Sequence, residues 1–174
     1  MSSYFTLTLI SDDHSQLWDD AYFFLSKSCE TERLPDDWYA GAYARASVML
    51  SAAAFESSCA HIFTKVNSAG EAVPDREFSR GGLLRSIRRE LTNRGFQTID
   101  ITEPYWISLQ SDALDIRNGY AHGKNEQKEL FADSKGAVEI ALRLLDATKR
   151  IYSLAKRDTQ WIDECCKEFA PLAV

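Results

Sequence analysis

The segment PYWISLQSDALDIRNGYAHG, Pro104 to Gly123, decides the fold class. Within it Trp106, Leu109, Ala113, Ile116 and Tyr120 recur at steps of three, four, three and four, which sets them along one core-facing stripe of an α-helix. Thr102 reads as its N-cap, Glu103 suits the positive helix end and Pro104 is tolerated in the first turn. Gly119 and Gly123 predict that the helix ends around His122.

The same periodicity extends in both directions. Asp12 or Asp13 can cap a first helix reaching Cys29, with Leu17, Ala21, Phe24 and Leu25 on one face, before the break Thr31-Glu32-Arg33-Leu34-Pro35. Asp36 can cap a second, alanine-rich helix reaching Asn67, about 45 Å long and interrupted only by Gly41, with a loop from Ser68 to Pro74 behind it. Residues 81 to 94 read as a shorter helix with Leu84, Ile87 and Leu91 inward and arginines outward. After a polar connection from Lys124 to Phe131, Asp133 can cap a long helix through Lys156, and a tail helix covers Trp161 to Phe169.

The opening Tyr4 to Ile10 alternates like a short strand, or lies along the helices. No repeat or low-complexity tract interrupts the pattern. The expectation is one all-α domain over residues 1–174, an up-and-down bundle of about four to six helices with its core between residues 13 and 157.

Composition narrows the function classes. The chain of 174 residues is 45% hydrophobic and 26% charged, which argues against a disordered or membrane-spanning protein. The start lacks the basic n-region of a signal peptide, so a cytoplasmic location is expected. Cys29, Cys59 and the pair Cys165-Cys166 form no C-x-x-C, which suggests neither a disulfide framework nor a zinc ribbon; Cys59 reads as a small buried apolar residue. A net charge of −6 opposes a generic polyanion binder. Between Asp75 and Arg94, however, six arginines stand against three acids, a local balance of +3 that could hold an RNA backbone.

Chemistry concentrates at Arg117-Asn118-Gly119-Tyr120-Ala121-His122-Gly123. Arginine offers a permanent planar cation to phosphate oxygens, and histidine is the side chain most easily poised to exchange a proton near neutral pH. Metal-free RNA cleavage needs those two properties: proton transfer at the 2′-hydroxyl and the leaving 5′-oxygen, and positive charge for the transition state. On an ideal helix Arg117 and His122 stand about 140° apart, whereas Asn118 and His122 share a face, so the amide can orient the imidazole while the ending helix frees His122 to swing toward Arg117. The bland alternative makes Arg117 a cap or a partner of Asp115 or Glu56, and His122-Gly123 an ordinary helix terminus.

This motif resembles the signature of the HEPN superfamily, small helical domains with an arginine, often followed by asparagine, then a histidine after four to six residues. The alanine-rich Ser47 to Ser57 is similar to the early core helix of those domains, with Glu56 as the acidic residue facing the site. The resemblance covers residues 13 to 157 and implies a metal-independent endoribonuclease that leaves a 2′,3′-cyclic phosphate. Its catalytic set would be Arg117, Asn118 and His122, supported by Glu56, and no cofactor or metal is implied.

One motif supplies one arginine and one histidine, and HEPN domains pair to bring two motifs into one cleft, so the resemblance implies a homodimer. It also implies a toxin–antitoxin or antiphage-defence setting, with RNA as substrate and an antitoxin or defence partner. In toxins silenced by a partner nucleotidyltransferase a tyrosine stands two residues after the histidine; here that residue is Lys124, which puts silencing by that route in doubt.

Arg85, Arg88, Arg89 and Lys124 are the candidate RNA-backbone contacts, against the alternative of a solvated helix face. His14 and His61 have no ligand-like neighbours in the sequence and read as structural or solvated. Trp38, Trp106 and Trp161 lack the interleaved basic residues of a stacking platform. The competing function is a non-catalytic nucleotide- or RNA-binding module, or a helical protein-interaction module.

Overall fold

The computed structural model describes residues 14–32, 39–66, 72–73, 82–116 and 133–173. These form a packed helical bundle: α1 (His14–Thr31), α2 (Ala40–Phe63), α3 (Leu83–Asn93), α4 (Pro104–Leu109), α5 (Ser134–Leu154) and α6 (Gln160–Phe169), closed by a 3₁₀ turn, Ala170–Ala173. The candidate strand Tyr4–Ile10 and the caps at Asp12, Asp13 and Asp36 lie outside the described residues.

The spine is α2, buried on several faces because small residues let its neighbours approach. It packs against α1 and α5. By length and composition it could also cross a membrane, yet here most of its apolar surface is covered by the bundle. Its serines tie α1 down: Ser47 Oγ donates to the Ala21 carbonyl at 2.9 Å, Ser28 Oγ of α1 donates to the Ala40 carbonyl at 2.9 Å, and Trp18 Nε1 donates to Ser58 Oγ at 3.3 Å. Each bond satisfies a polar group within a seam of Trp18, Leu25, Val48 and Phe55.

α2 ends at Phe63, one turn short of the expected Asn67, so the spine measures about 36 Å rather than about 45 Å. Thr64 turns extended at φ −53°, ψ 130°, and Thr64 Oγ1 donates to the Ala60 carbonyl at 2.9 Å. The backbone then enters a short antiparallel ladder, Lys65–Val66 with Ala72–Val73, where the sequence suggested helix and loop. Pairing with residues six and eight positions away is worth more here than continuing a helix.

α3 turns Leu84, Ile87 and Leu91 inward and Arg85, Arg88 and Arg89 outward, as its pattern predicts. It closes with Gly95 at φ 71°, the Gly95 N–H bonding the Thr92 carbonyl and the Phe96 N–H the Leu91 carbonyl. α5 closes with the same pair of bonds, Lys156 N–H to Ser153 and Arg157 N–H to Tyr152, but with lysine in the left-handed position, at φ 55°.

Ile162 and Phe169 of α6 lie fully in the core, the Phe169 ring edge-on to Trp18 at 6.3 Å and to Tyr22 at 5.4 Å. The tail that the sequence leaves at the periphery therefore closes the bundle over α1. Two large side chains removed from water stabilise that docking by roughly 3–6 kcal/mol before ordering costs.

A π turn and two clefts form the candidate functional site

The segment leading to Arg117 is not a uniform α-helix. Glu103 rather than Thr102 holds the N-cap position of α4, because Asp100 Oδ1 accepts from both the Thr102 N–H, at 2.9 Å, and Thr102 Oγ1, at 2.7 Å. After Leu109 the chain widens into a π turn, Gln110–Leu114, with the Asp115 N–H bonded to the Gln110 carbonyl. The wider turn shifts the phase of the apolar stripe. Trp106, Leu109 and Ala113 are buried as predicted, but Leu114 joins them and Ile116 is only half-buried.

The turn is tethered to α5. Arg143 Nη1 donates to Asp112 Oδ2 at 3.1 Å and Arg143 Nη2 donates to Ser108 Oγ; Ser108 Oγ also donates to Asp112 Oδ2 at 2.8 Å, and Ser111 Oγ donates to Asp112 Oδ1 at 2.6 Å. Those donors, the serine hydroxyls foremost, hold the Asp112 carboxyl below its ordinary range. One turn earlier Tyr105 Oη donates to Asp146 Oδ2 at 2.6 Å, and Arg150 both bonds that oxygen at 2.9 Å and lies over the Tyr105 ring at 3.9 Å. Burial, then the Asp146 carboxylate, pushes the Tyr105 phenol up, so it stays a donor.

Beside the π turn a cleft of about 470 Å³ opens between α3 and α4. Arg85, Gln110, Ser111 and Asp115 supply its polar wall, and Leu84, Ile101 and Trp106 its apolar one. Gln110 Nε2 donates to Asp115 Oδ1 at 2.7 Å. Of the candidate RNA contacts, Arg85 thus lines a cleft, while Arg89 pairs with Glu90 at 3.5 Å and exposed Arg88 acts on Asp100, lowering its carboxyl after the larger effect of the Thr102 bonds.

Arg117, Asn118, His122 and Lys124 lie outside the described residues; the cleft approaches them in sequence through Asp115. Glu56 is half-buried on α2, and its carboxylate adds to burial in pushing the Cys59 thiol well up, which fits Cys59 as an inert core residue.

Two features escaped the sequence. His14 and His61 are neighbours after all, their rings 4.8 Å apart, with Trp161 edge-on to His14 at 5.2 Å. The start of α1 and the end of α2 meet there because the two helices pack antiparallel, a relation no local spacing reveals. A second and larger cleft, about 760 Å³, runs between residues 97–103 and the C-terminal half of α5, and Trp106 lines it as well. Lys149, Arg150 and Lys156 stand on its α5 side. Neither these cations nor the loop that faces them stood out in the sequence.

Among the described residues no group of three or more His, Cys, Asp and Glu side chains could hold a metal ion. Comparison with protein-family models, with curated proteins and with solved structures finds no match.

Proposed function

We propose that the chain is a HEPN-like, metal-independent endoribonuclease, acting as a toxin or antiphage-defence effector. The observation that carries this reading is the Arg117-Asn118-x-x-x-His122 motif, which directly follows in sequence a helical segment anchored in the core by Trp106, Leu109 and Ala113. The π turn, three to seven residues before Arg117, and the Arg85 cleft beside it support the reading, since π turns recur at functional sites and a cation in a cleft suits a phosphate.

In the reaction the 2′-hydroxyl loses its proton and its oxygen attacks the adjacent phosphorus. The phosphorus–5′-oxygen bond breaks and the leaving oxygen takes up a proton. His122 exchanges protons and Arg117 carries the charge that develops on the phosphoryl oxygens, with Asn118 orienting the imidazole and Glu56 in support. Acid–base catalysis supplies about 10²–10⁴-fold, so charge stabilisation and in-line positioning provide the remainder. A two-fold homodimer, with Arg117, Asn118 and His122 of both chains in a shared groove, adds a second histidine and divides the two proton transfers between them. Lys124 in place of the adenylylated tyrosine directs any antitoxin or defence partner to another means of restraint.

The test is cleavage of mixed RNA by purified protein in excess chelator, wild type beside His122→Ala, with the new ends mapped. Chelator-resistant cleavage that leaves cyclic phosphate and vanishes in the variant is expected. Unchanged cleavage by His122→Ala removes the assignment, and absence of cleavage with retained RNA binding assigns the chain to the non-catalytic binding class.

A further inference from the structure

The second cleft presents opposite charges on its two walls. On α5, Lys149 is engaged by Asp163 at 2.5 Å and Arg150 by Asp146 at 2.9 Å, which leaves Lys156 as the wall cation without an ion pair among the described residues. Facing them, Asp100 is committed to Thr102, while the Glu103 carboxylate makes no hydrogen bond or ion pair among the described residues. Ile99, Trp106 and Leu154 form the apolar floor. At about 760 Å³ the space lies within the range of small-ligand clefts, about 300–1,000 Å³.

The backbone at Lys156 singles out this place. The position that closes a helix in the left-handed conformation is normally glycine, as Gly95 is at the end of α3. α5 closes with the same hydrogen bonds but holds a lysine there, and that lysine lines the cleft. A residue other than glycine kept at this disfavoured backbone angle beside a cleft points to a role for its side chain.

We propose that this cleft holds one unpaired nucleotide of the RNA, its phosphate on the Lys156 side and the amino edge of its base on Glu103. This rests on the ribonuclease reading above. An unpaired nucleotide carries both complements the cleft needs, an anion at one end and amino donors at the other, and its base can lie against the apolar floor. Carboxylates accept from the exocyclic amino group of cytosine, whereas uracil offers an oxygen at the same place and is repelled. The cleft therefore selects cytidine over uridine, while the net −6 chain avoids indiscriminate polyanion binding.

The experiment measures fluorescence anisotropy of wild-type protein with labelled 2′-O-methyl oligocytidylate and oligouridylate, which lack the attacking hydroxyl and are not cut. Cytidylate is expected to bind about tenfold more tightly. Glu103→Gln should erase that difference, since its amide pairs with either base. Lys156→Gln should weaken both oligonucleotides equally and reduce the salt slope by about 0.7. Equal binding of the two by wild type, or a difference that survives Glu103→Gln, overturns the proposal. Cleavage of unmodified RNA in chelator, run alongside, separates the two readings. If cutting persists without base preference, only the cleft assignment falls; if preference persists without cutting, the ribonuclease reading falls and the cleft stands as a nucleotide site.

Discussion

Glu32, just past the end of α1, caps α5 from 102 positions away: Ser134 N–H donates to its Oε1 at 2.7 Å and Ser134 Oγ donates to its Oε2. Asp133 supplies the local cap, Oδ1 accepting from the Gly136 N–H at 2.6 Å. The start of α5 thus rests on two carboxylates, both placed at the positive end of the helix dipole.

Glu32→Ala is expected to lower stability by about 1 kcal/mol, since Ser134 is buried and loses the acceptor of its backbone N–H and hydroxyl. Urea denaturation checks this, and a midpoint equal to wild type would mean that Asp133 alone suffices.

Arg94 joins α3 to α2. Its Nη2 donates to the Phe63 carbonyl at 2.5 Å, its guanidinium lies 5.4 Å from the Phe63 ring centre, and it faces Glu90, which is only 7% exposed. Arg94→Ala leaves that carboxylate to Arg89 alone and should cost about 2 kcal/mol. Arg94→Lys should recover only part, because a single ammonium cannot serve the carbonyl and the carboxylate as the fork does.

The Asp112 tether gives a pH dependence of known sign. Its folded carboxyl titrates below the ordinary 3.8, so it contributes stability that is present above that value and is lost as pH falls through the depressed folded value. The stability difference between wild type and Asp112→Asn should therefore be constant near neutral pH and shrink as the solution is taken below about pH 4. A difference that grows with acid would contradict the tether.

Lys156→Gly should stabilise the protein by about 1 kcal/mol by relieving the left-handed strain. The same substitution should weaken RNA binding. Thermal melting and anisotropy on one preparation read both, and a gain in stability with unchanged binding would leave the lysine without a role in the cleft.

Arg117→Lys keeps the charge but loses the planar two-pronged donor. RNA cleavage is expected to fall at least about tenfold with the melting temperature unchanged. Cleavage at the wild-type rate would show that charge alone is needed there.

Features set by near neighbours in the chain were legible. The stripe Trp106–Leu109–Ala113, the inward Leu84, Ile87 and Leu91 of α3 and the cap at Asp133 depend on residues within four positions of one another, the range over which helix periodicity and capping act. The early end of α2 was not, because the competing ladder recruits Ala72–Val73.

The sequence by itself determined the helical class, most helix positions and the Arg117–His122 motif that carries the chemical proposal. Only the tertiary structure decided the π turn fastened by Arg143 from 31 positions away, the His14–His61 contact, the remote cap at Glu32 and the clefts on either side of Trp106. The reason is one of range: hydrophobic period and caps are written within a few residues, whereas a phase shift, a ring contact or a cleft wall depends on which distant side chains packing brings together.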